Sequence, residues 1–177
     1  QTEKLISEGA NFIDIGAYSS KPGADFVSET EELNRLIPIV RLIHDAFPET
    51  PISIDSFRSN VINMSIQAGA AMVNDISGGQ LDTLMFETVG KLGVPYILMH
   101  MRGTPQTMQR MTSYSNVIKD IYSYFTERIE LAKKHQIKDI IIDLGFGFSK
   151  TLEQNFKLLE SLDFYKNLNL PILAGVS

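Results

Sequence analysis

The sequence predicts an α/β fold, a (β/α)8 barrel present in truncated form with about six strands, and three observations predict it. Short β-branched apolar runs alternate with amphipathic stretches of helical period along the whole chain. The apolar runs are continuous, as in Ile140-Ile141-Ile142, which marks parallel strands covered on both faces. Polar residues close the runs: Asp14, Asp55, Asn74 with Asp75, His100, Asp143 and Ser177. In a barrel those strand ends converge on one mouth, where the sites of that fold lie. A doubly wound sheet would use only the strands at its switch point.

Taken in order, residues 1–8 read as the tail of a helix and residues 11–16 as the first strand. A helix over 29–47 follows, with Leu33, Leu36, Ile37, Val40 and Ile43 on one face at the 3.6-residue period. Pro38 lies inside it and should kink it. Strands over 52–55, 72–76, 96–100, 140–143 and 172–176 alternate with helices over 58–68, 81–92, 116–135 and 151–162. Gly69 and Gly93 each stand between a helix and a strand, where a left-handed cap is wanted.

Length and composition bound the function. With 177 residues, 44% of them hydrophobic and 21% charged, the chain suits one folded domain. A complete barrel takes about 250 residues, so the first strand, the last strand and two helices are expected to be missing. No run is long and apolar enough to span a membrane. The absence of cysteine excludes thiolate chemistry and fits a reducing cytoplasm. A net charge of −5 with no basic tract argues against a nucleic-acid partner.

Asp55, Asn74 and Asp143 end apolar strands and form the candidate chemical constellation. Two carboxylates and an amide offer mostly acceptors, which suits a ligand with a donor-rich edge such as an aminopyrimidinone. Burial should raise both carboxylate pKa values unless donors or cations pair them. The bland alternative is that each Asp caps the next helix; a Mg²⁺ site is a further reading. His44 and His135 read as surface residues, and His100 as either a structural or a catalytic group. The run Gly145-Phe146-Gly147-Phe148-Ser149-Lys150 lacks the endings of a dinucleotide fingerprint and of a P-loop. Its glycines permit close backbone approach, and Phe146 or Phe148 suits a flat ring or the core. Lys21 and Arg102 read as grips for an anion or as solvated loop cations.

Five segments then carry a resemblance. Asp14-Ile15-Gly16-Ala17-Tyr18-Ser19-Ser20-Lys21-Pro22-Gly23-Ala24, Ile54-Asp55-Ser56, Asn74-Asp75-Ile76-Ser77-Gly78-Gly79, His100-Met101-Arg102-Gly103-Thr104-Pro105 and Asp143-Leu144-Gly145-Phe146-Gly147-Phe148 resemble, in family order, the signatures of dihydropteroate synthases. The resemblance spans nearly the whole chain and makes residues 1–177 a pterin-binding domain, an incomplete barrel. It implies condensation of 6-hydroxymethyl-7,8-dihydropterin pyrophosphate with p-aminobenzoate, giving 7,8-dihydropteroate and pyrophosphate for folate biosynthesis. By the same resemblance Asp143 would hold the pterin's amino and ring N–H donors, Asn74 further ring atoms, and Asp55 the positive charge that develops as the C–O bond breaks. Ser20 and Lys21 would sit near p-aminobenzoate and pyrophosphate, standing where Thr and Arg are usual. Met99 and Phe148 would line the pocket.

The resemblance further implies Mg²⁺, with its Asn ligand before residue 1, a cytoplasmic homodimer when full length, and sensitivity to sulfonamides. Leu144 and Ser149 stand where Pro and Gly are usual. The family's Arg-Lys pair after Ser177 and its terminal Arg-x-His are not in these residues, so the 177-residue chain alone is expected to be inactive. The alternatives are a methyltransferase using methyltetrahydrofolate and a non-catalytic pterin-binding paralogue.

Overall fold

A computed structural model of the chain describes residues 1–19, 21 and 25–175. Six parallel strands form one sheet in the order β1 to β6, each paired to the next in sequence: β1 Ile13–Ile15, β2 Ile52–Asp55, β3 Met72–Asp75, β4 Tyr96–Met99, β5 Ile140–Asp143 and β6 Ile172–Leu173. Helix α1 Thr2–Ser7 precedes β1, and helices α2 Glu29–Ala46, α3 Ser59–Gln67, α4 Met85–Leu92, α5 Val117–Lys134, α6 Leu152–Glu160 and α7 Leu162–Tyr165 fall between the strands. Sequential parallel strands joined by helices are the (β/α) unit of a barrel. Among the described residues there are six strands and five complete strand–helix units.

Local chemistry starts the long helices where it should. Ser28 Oγ accepts from Glu31 N–H at 3.2 Å to cap α2, and Asn116 Oδ1 accepts from Lys119 N–H at 3.1 Å to cap α5. Thr151 and Gln154 form a reciprocal capping box on α6. The main core lies between the sheet and the helices, with Val40, Val61, Leu98, Ile121, Phe125 and Ile142 fully buried. Truncation of Phe125 to Ala at such a position costs about 3–5 kcal/mol. A second, smaller cluster unites Ile76, Met99, Met101 and Met108, with Phe57 and Phe148 packed against it. Met99 ends β4, Ile76 directly follows β3, and Phe57 and Met101 lie two residues beyond β2 and β4, so this cluster lies at the C-terminal, mouth end of the sheet.

Several boundaries differ from the sequence reading. The helix expected from 81 starts at Met85, because residues before it form turns in which Asp82 Oδ2 accepts from Ser59 N–H at 2.7 Å and so caps α3 instead. The helix expected over 151–162 ends at Glu160, and the short α7 and a 3₁₀ turn, Lys166–Leu168, follow it. Helix α2 runs unbroken through Pro38, since Leu36, Val40 and Ile43 pack the turns on both sides of it into the core.

Candidate active site

The predicted polar residues stand at or next to the C-terminal ends of their strands. Asp55 and Asn74 are Cα partners at the ends of β2 and β3, and Met99 and Asp143 are partners at the ends of β4 and β5. Asn74 Nδ2 donates to Asp14 Oδ2 at 3.1 Å, which brings the first strand into the same group. None of the three predicted residues caps a helix. Helix α3 begins after Arg58, and α6 is capped by Thr151. The capping alternative for Asp55 and Asp143 is therefore set aside.

The two carboxylates have different surroundings. Burial pushes Asp55 up to about 7, and the nearby carboxylates of Asp14, Asp75 and Glu32 add to that rise. Among the described residues no hydrogen bond offsets it. Gly16, directly after β1, lies close to this group: a Cβ built there would lie 3.1 Å from Asp55 Cβ, tight enough that a neighbour would have to shift. Asp143 is 8% exposed, and Gly145 N–H donates to its Oδ1 at 2.8 Å. Burial raises its pKa, while the Gly145 N–H and the Lys150 ammonium oppose the rise. Its second oxygen has no donor among the described residues. A buried carboxylate with one oxygen fixed and the other open is an acceptor waiting for paired N–H donors.

Asp75, the neighbour of Asn74, does a different job. Its fully buried carboxylate accepts from Ser77 N–H, Ser77 Oγ, Gly79 N–H and Tyr96 Oη, all between 2.6 and 2.8 Å. That saturation makes it a structural anchor for the loop after β3. A second anchor holds the loop after β2. Glu32 on α2, 1% exposed, accepts from Ser56 Oγ at 2.7 Å and from Arg58 Nη1 at 2.5 Å. Arg58 also donates to Val27 O at 2.7 Å and lies against the rings of Tyr18, Phe26 and Phe57. A cleft of about 390 Å³ opens beside this cluster, between Tyr18, Phe57, Arg58, Leu81 and Gln106.

The remaining predicted residues divide. Met99 is buried in the mouth cluster and Phe148 packs against that cluster, so the structure brings the two together. Lys21 is exposed in the loop after β1, and Ser20 lies outside the described residues. His100 is a packed, neutral ring: burial lowers its pKa well below the ordinary value, and Tyr124 stands edge-on at 4.7 Å. Arg102 is engaged within its own loop. It lies over Tyr114 at 3.8 Å, donates to Ser113 O and reaches Asp120 at 3.7 Å. His44 and His135 are exposed. The sequence reads Asp14 only as a polar strand end and gives Lys150 no site role. Lys150 closes a glycine-rich run that reads as a poor phosphate loop, and its role depends on carbonyls that only folding assembles.

Among the described residues no group of three or more His, Cys, Asp or Glu is placed to hold a metal ion. Among them, too, no helix is long and apolar enough to cross a membrane.

A parallel (β/α) sheet with polar residues at its strand ends defines the class of barrel proteins whose sites lie at the C-terminal mouth. The chain belongs to the pterin-binding enzyme family, whose model matches residues 1–177. It is 42% identical to the dihydropteroate synthase of Synechocystis, covering 100% of this chain and 62% of that protein. It is 43% identical to a folic acid synthesis protein of Pneumocystis carinii, covering 99% of this chain and 25% of that one. Among solved structures, the Yersinia pestis dihydropteroate synthase in complex with a sulfonamide drug superposes with a TM-score of 0.95 at 38% identity, covering 99% of this chain and 64% of that one. The chain thus spans about 62% of the length of a single-activity relative.

Proposed function

We propose that this chain forms the pterin-binding part of a dihydropteroate synthase, which joins 6-hydroxymethyl-7,8-dihydropterin pyrophosphate to p-aminobenzoate. One observation carries the reading most of the way: the buried Asp143 carboxylate keeps one oxygen open at the end of β5, in a sheet that also carries Asp55 and Asn74 at the ends of β2 and β3 and is built like that of the synthases. The pterin's exocyclic amino group and adjacent ring N–H donate to Asp143, a charge-assisted pair. Asn74 meets further ring atoms through its amide. Phe148 and Met99 give the ring an apolar wall.

In the reaction the C–O bond between the pterin's methylene and pyrophosphate breaks, and the amine of p-aminobenzoate forms the new C–N bond. Pyrophosphate leaves with the bonding electron pair, and the amine loses a proton. Positive charge grows on the pterin methylene as the bond lengthens, and the Asp55 carboxylate, fixed before the substrate arrives, stabilises it. Lys21 and Ser20, on the loop after β1, serve the anionic ends of the two substrates. Donors for Mg²⁺ come from outside residues 1–177. The working protein is a cytoplasmic homodimer, and sulfonamides compete with p-aminobenzoate in it.

The test follows labelled p-aminobenzoate into dihydropteroate, with Mg²⁺ and the pterin pyrophosphate. It uses the chain completed to the relatives' length, called here the completed barrel, its Asp143→Asn variant and residues 1–177 alone. Losing a hydrogen bond to a charged group costs about 1.5–3 kcal/mol, so Asp143→Asn should lower kcat/KM for the pterin substrate by about 10- to 100-fold. Residues 1–177 alone should give no product. A folded completed barrel without turnover would overturn the synthase reading.

A further inference from the structure

The loop between β5 and α6 contains a lysine that surface logic does not explain. Lys150 is 6% exposed, and its Nζ donates to three backbone carbonyls: Gly145 O at 2.8 Å, Phe148 O at 2.9 Å and His100 O at 3.2 Å. Three N–H donors meet three acceptors, which is the full capacity of an ammonium. No carboxylate of the described residues lies within ion-pair distance of it. Burying a cation without a counter-ion is costly, so the position calls for a reason beyond satisfying a turn.

We infer that Lys150 is the positioning residue of the pterin pocket, clamping the ends of β4 and β5 together and presenting the Asp143 carboxylate to its ligand. The inference rests on the proposed pterin-binding role of Asp143. The link is short. Lys150 holds the Gly145 carbonyl, and Gly145 gives its N–H to Asp143 Oδ1 at 2.8 Å. The same ammonium holds the carbonyl of Phe148, the residue assigned to the ring's wall. Through His100 O it ties both to the end of the neighbouring strand, one residue beyond Met99. Gly145 has φ +66°, and a Cβ there would meet His100 O and approach Nζ, so the cradle closes only around a glycine.

The charge acts with the geometry. Lys150 favours the ionised form of Asp143, and Asp143 in turn opposes the fall that burial imposes on the lysine. The other groups facing this cluster do not replace it. His100 is held neutral by burial, Arg102 is committed to Ser113, Asp120 and Tyr114, and the Tyr114 hydroxyl donates to Ser149 O.

The experiment measures 6-hydroxymethylpterin affinity across pH 5 to 9, beside urea unfolding, for the completed barrel and for Lys150→Met and Lys150→Arg. Methionine keeps the length and removes the charge and the donors; arginine keeps the charge. Lys150→Met should bind the pterin at least about tenfold more weakly at pH 7. The acid limb of its binding profile should move up by about one pH unit, because a carboxylate deprived of a nearby cation ionises later. Lys150→Arg should keep the acid limb of the unsubstituted protein. Unchanged affinity and an unchanged acid limb in Lys150→Met would make the lysine a packing element only and overturn the inference. Should Lys150→Met not fold, an acid limb displaced in Lys150→Arg would overturn it. Absence of pterin binding by the unsubstituted barrel would overturn the proposed function first, and this inference with it.

Discussion

Asp55, the last residue of β2, and Asn74, the last but one of β3, are register partners, and Asn74 in turn reaches Asp14 in β1. Three consecutive strands thus deliver an acidic or amide group to the mouth end of the sheet. Nothing in that group neutralises Asp55. Its neighbours are themselves acidic, and burial pushes it up to about 7. A carboxylate kept under such conditions weakens the fold, which is the usual mark of a site selected for chemistry.

The pH dependence of Asp55 has a definite sign. Its unfolded value is near 3.8 and its folded value about 7. The folded chain therefore holds a proton that the unfolded chain has released, and the stability from this group is present below pH 4 and lost as pH rises towards 7. Above that the fold carries a buried charge. Asp55→Asn removes the charge, so urea unfolding should show the two proteins alike near pH 4. At pH 8 the variant should be the more stable, by on the order of 2 kcal/mol. Synthase turnover in the completed barrel should fall by about 100-fold or more in the same variant. A variant less stable than the original at pH 8 would contradict the proton linkage.

Much of this was legible before any fold was drawn. Strands β2 and β5 fall where the sequence put them: Ile140-Ile141-Ile142 is a continuous β-branched run, and Ile52 and Ile54 flank Ser53 in a short stretch closed by Asp55. Asp55, Asn74 and Asp143 were legible for the same reason, since a polar residue ending such a run must sit at the strand's end. The loops were less so. Asp75 and Asn74 are adjacent and both polar, yet one is saturated by four donors and the other faces the mouth. That difference depends on Tyr96, twenty-one residues on, and no local pattern carries it. Lys150 escaped similarly: a lysine in a glycine-rich loop reads as a surface cation until three carbonyls are seen around it.

The Glu32–Arg58 pair should matter to folding more than its partly open position suggests. Glu32 is 1% exposed, and removing Arg58 leaves a buried carboxylate with only the Ser56 hydroxyl. Breaking a buried pair from one side costs about 3–5 kcal/mol. Arg58→Met should lose about that much in urea unfolding at pH 7. Glu32→Gln together with Arg58→Met should regain at least half of it, because the stranded charge is gone. A double variant no better than Arg58→Met would mean that the loss comes from the contacts of Arg58 with Val27 O and the aromatic rings.

Tyr96 offers the complementary case, a change in stability without a change in ligand binding. Its hydroxyl donates to Asp75 at 2.6 Å and is the largest of the contacts that hold the Asp75 pKa down against burial. Tyr96→Phe should destabilise by about 1.5–3 kcal/mol at pH 7. The sign with pH follows from Asp75: its folded pKa is raised and rises further without the hydroxyl. The penalty should therefore shrink as pH falls and the carboxyl becomes neutral. Pterin affinity in the completed barrel should change less than about twofold, because Asp75 faces its own loop. A tenfold loss of affinity would instead place Asp75 in the site.

Ser149, standing where the resemblance leads one to expect glycine, tests how the loop tolerates its own sequence. It has φ +47°, a left-handed conformation that costs an L-residue roughly 1–2 kcal/mol. Its hydroxyl offsets part of that cost by accepting from Arg102 N–H at 3.0 Å, while its carbonyl accepts from Tyr114 Oη at 3.0 Å. Ser149→Ala keeps the strain and loses the acceptor, so it should destabilise by about 1 kcal/mol. Ser149→Gly loses the same acceptor but relieves the strain, and should match the original or exceed it. The gap between the two variants, about 1–2 kcal/mol in favour of glycine, measures the conformational term alone, because both lack the hydroxyl. Equal stabilities for the two would show that residue 149 carries no strain, and that the serine is held by its hydrogen bond alone.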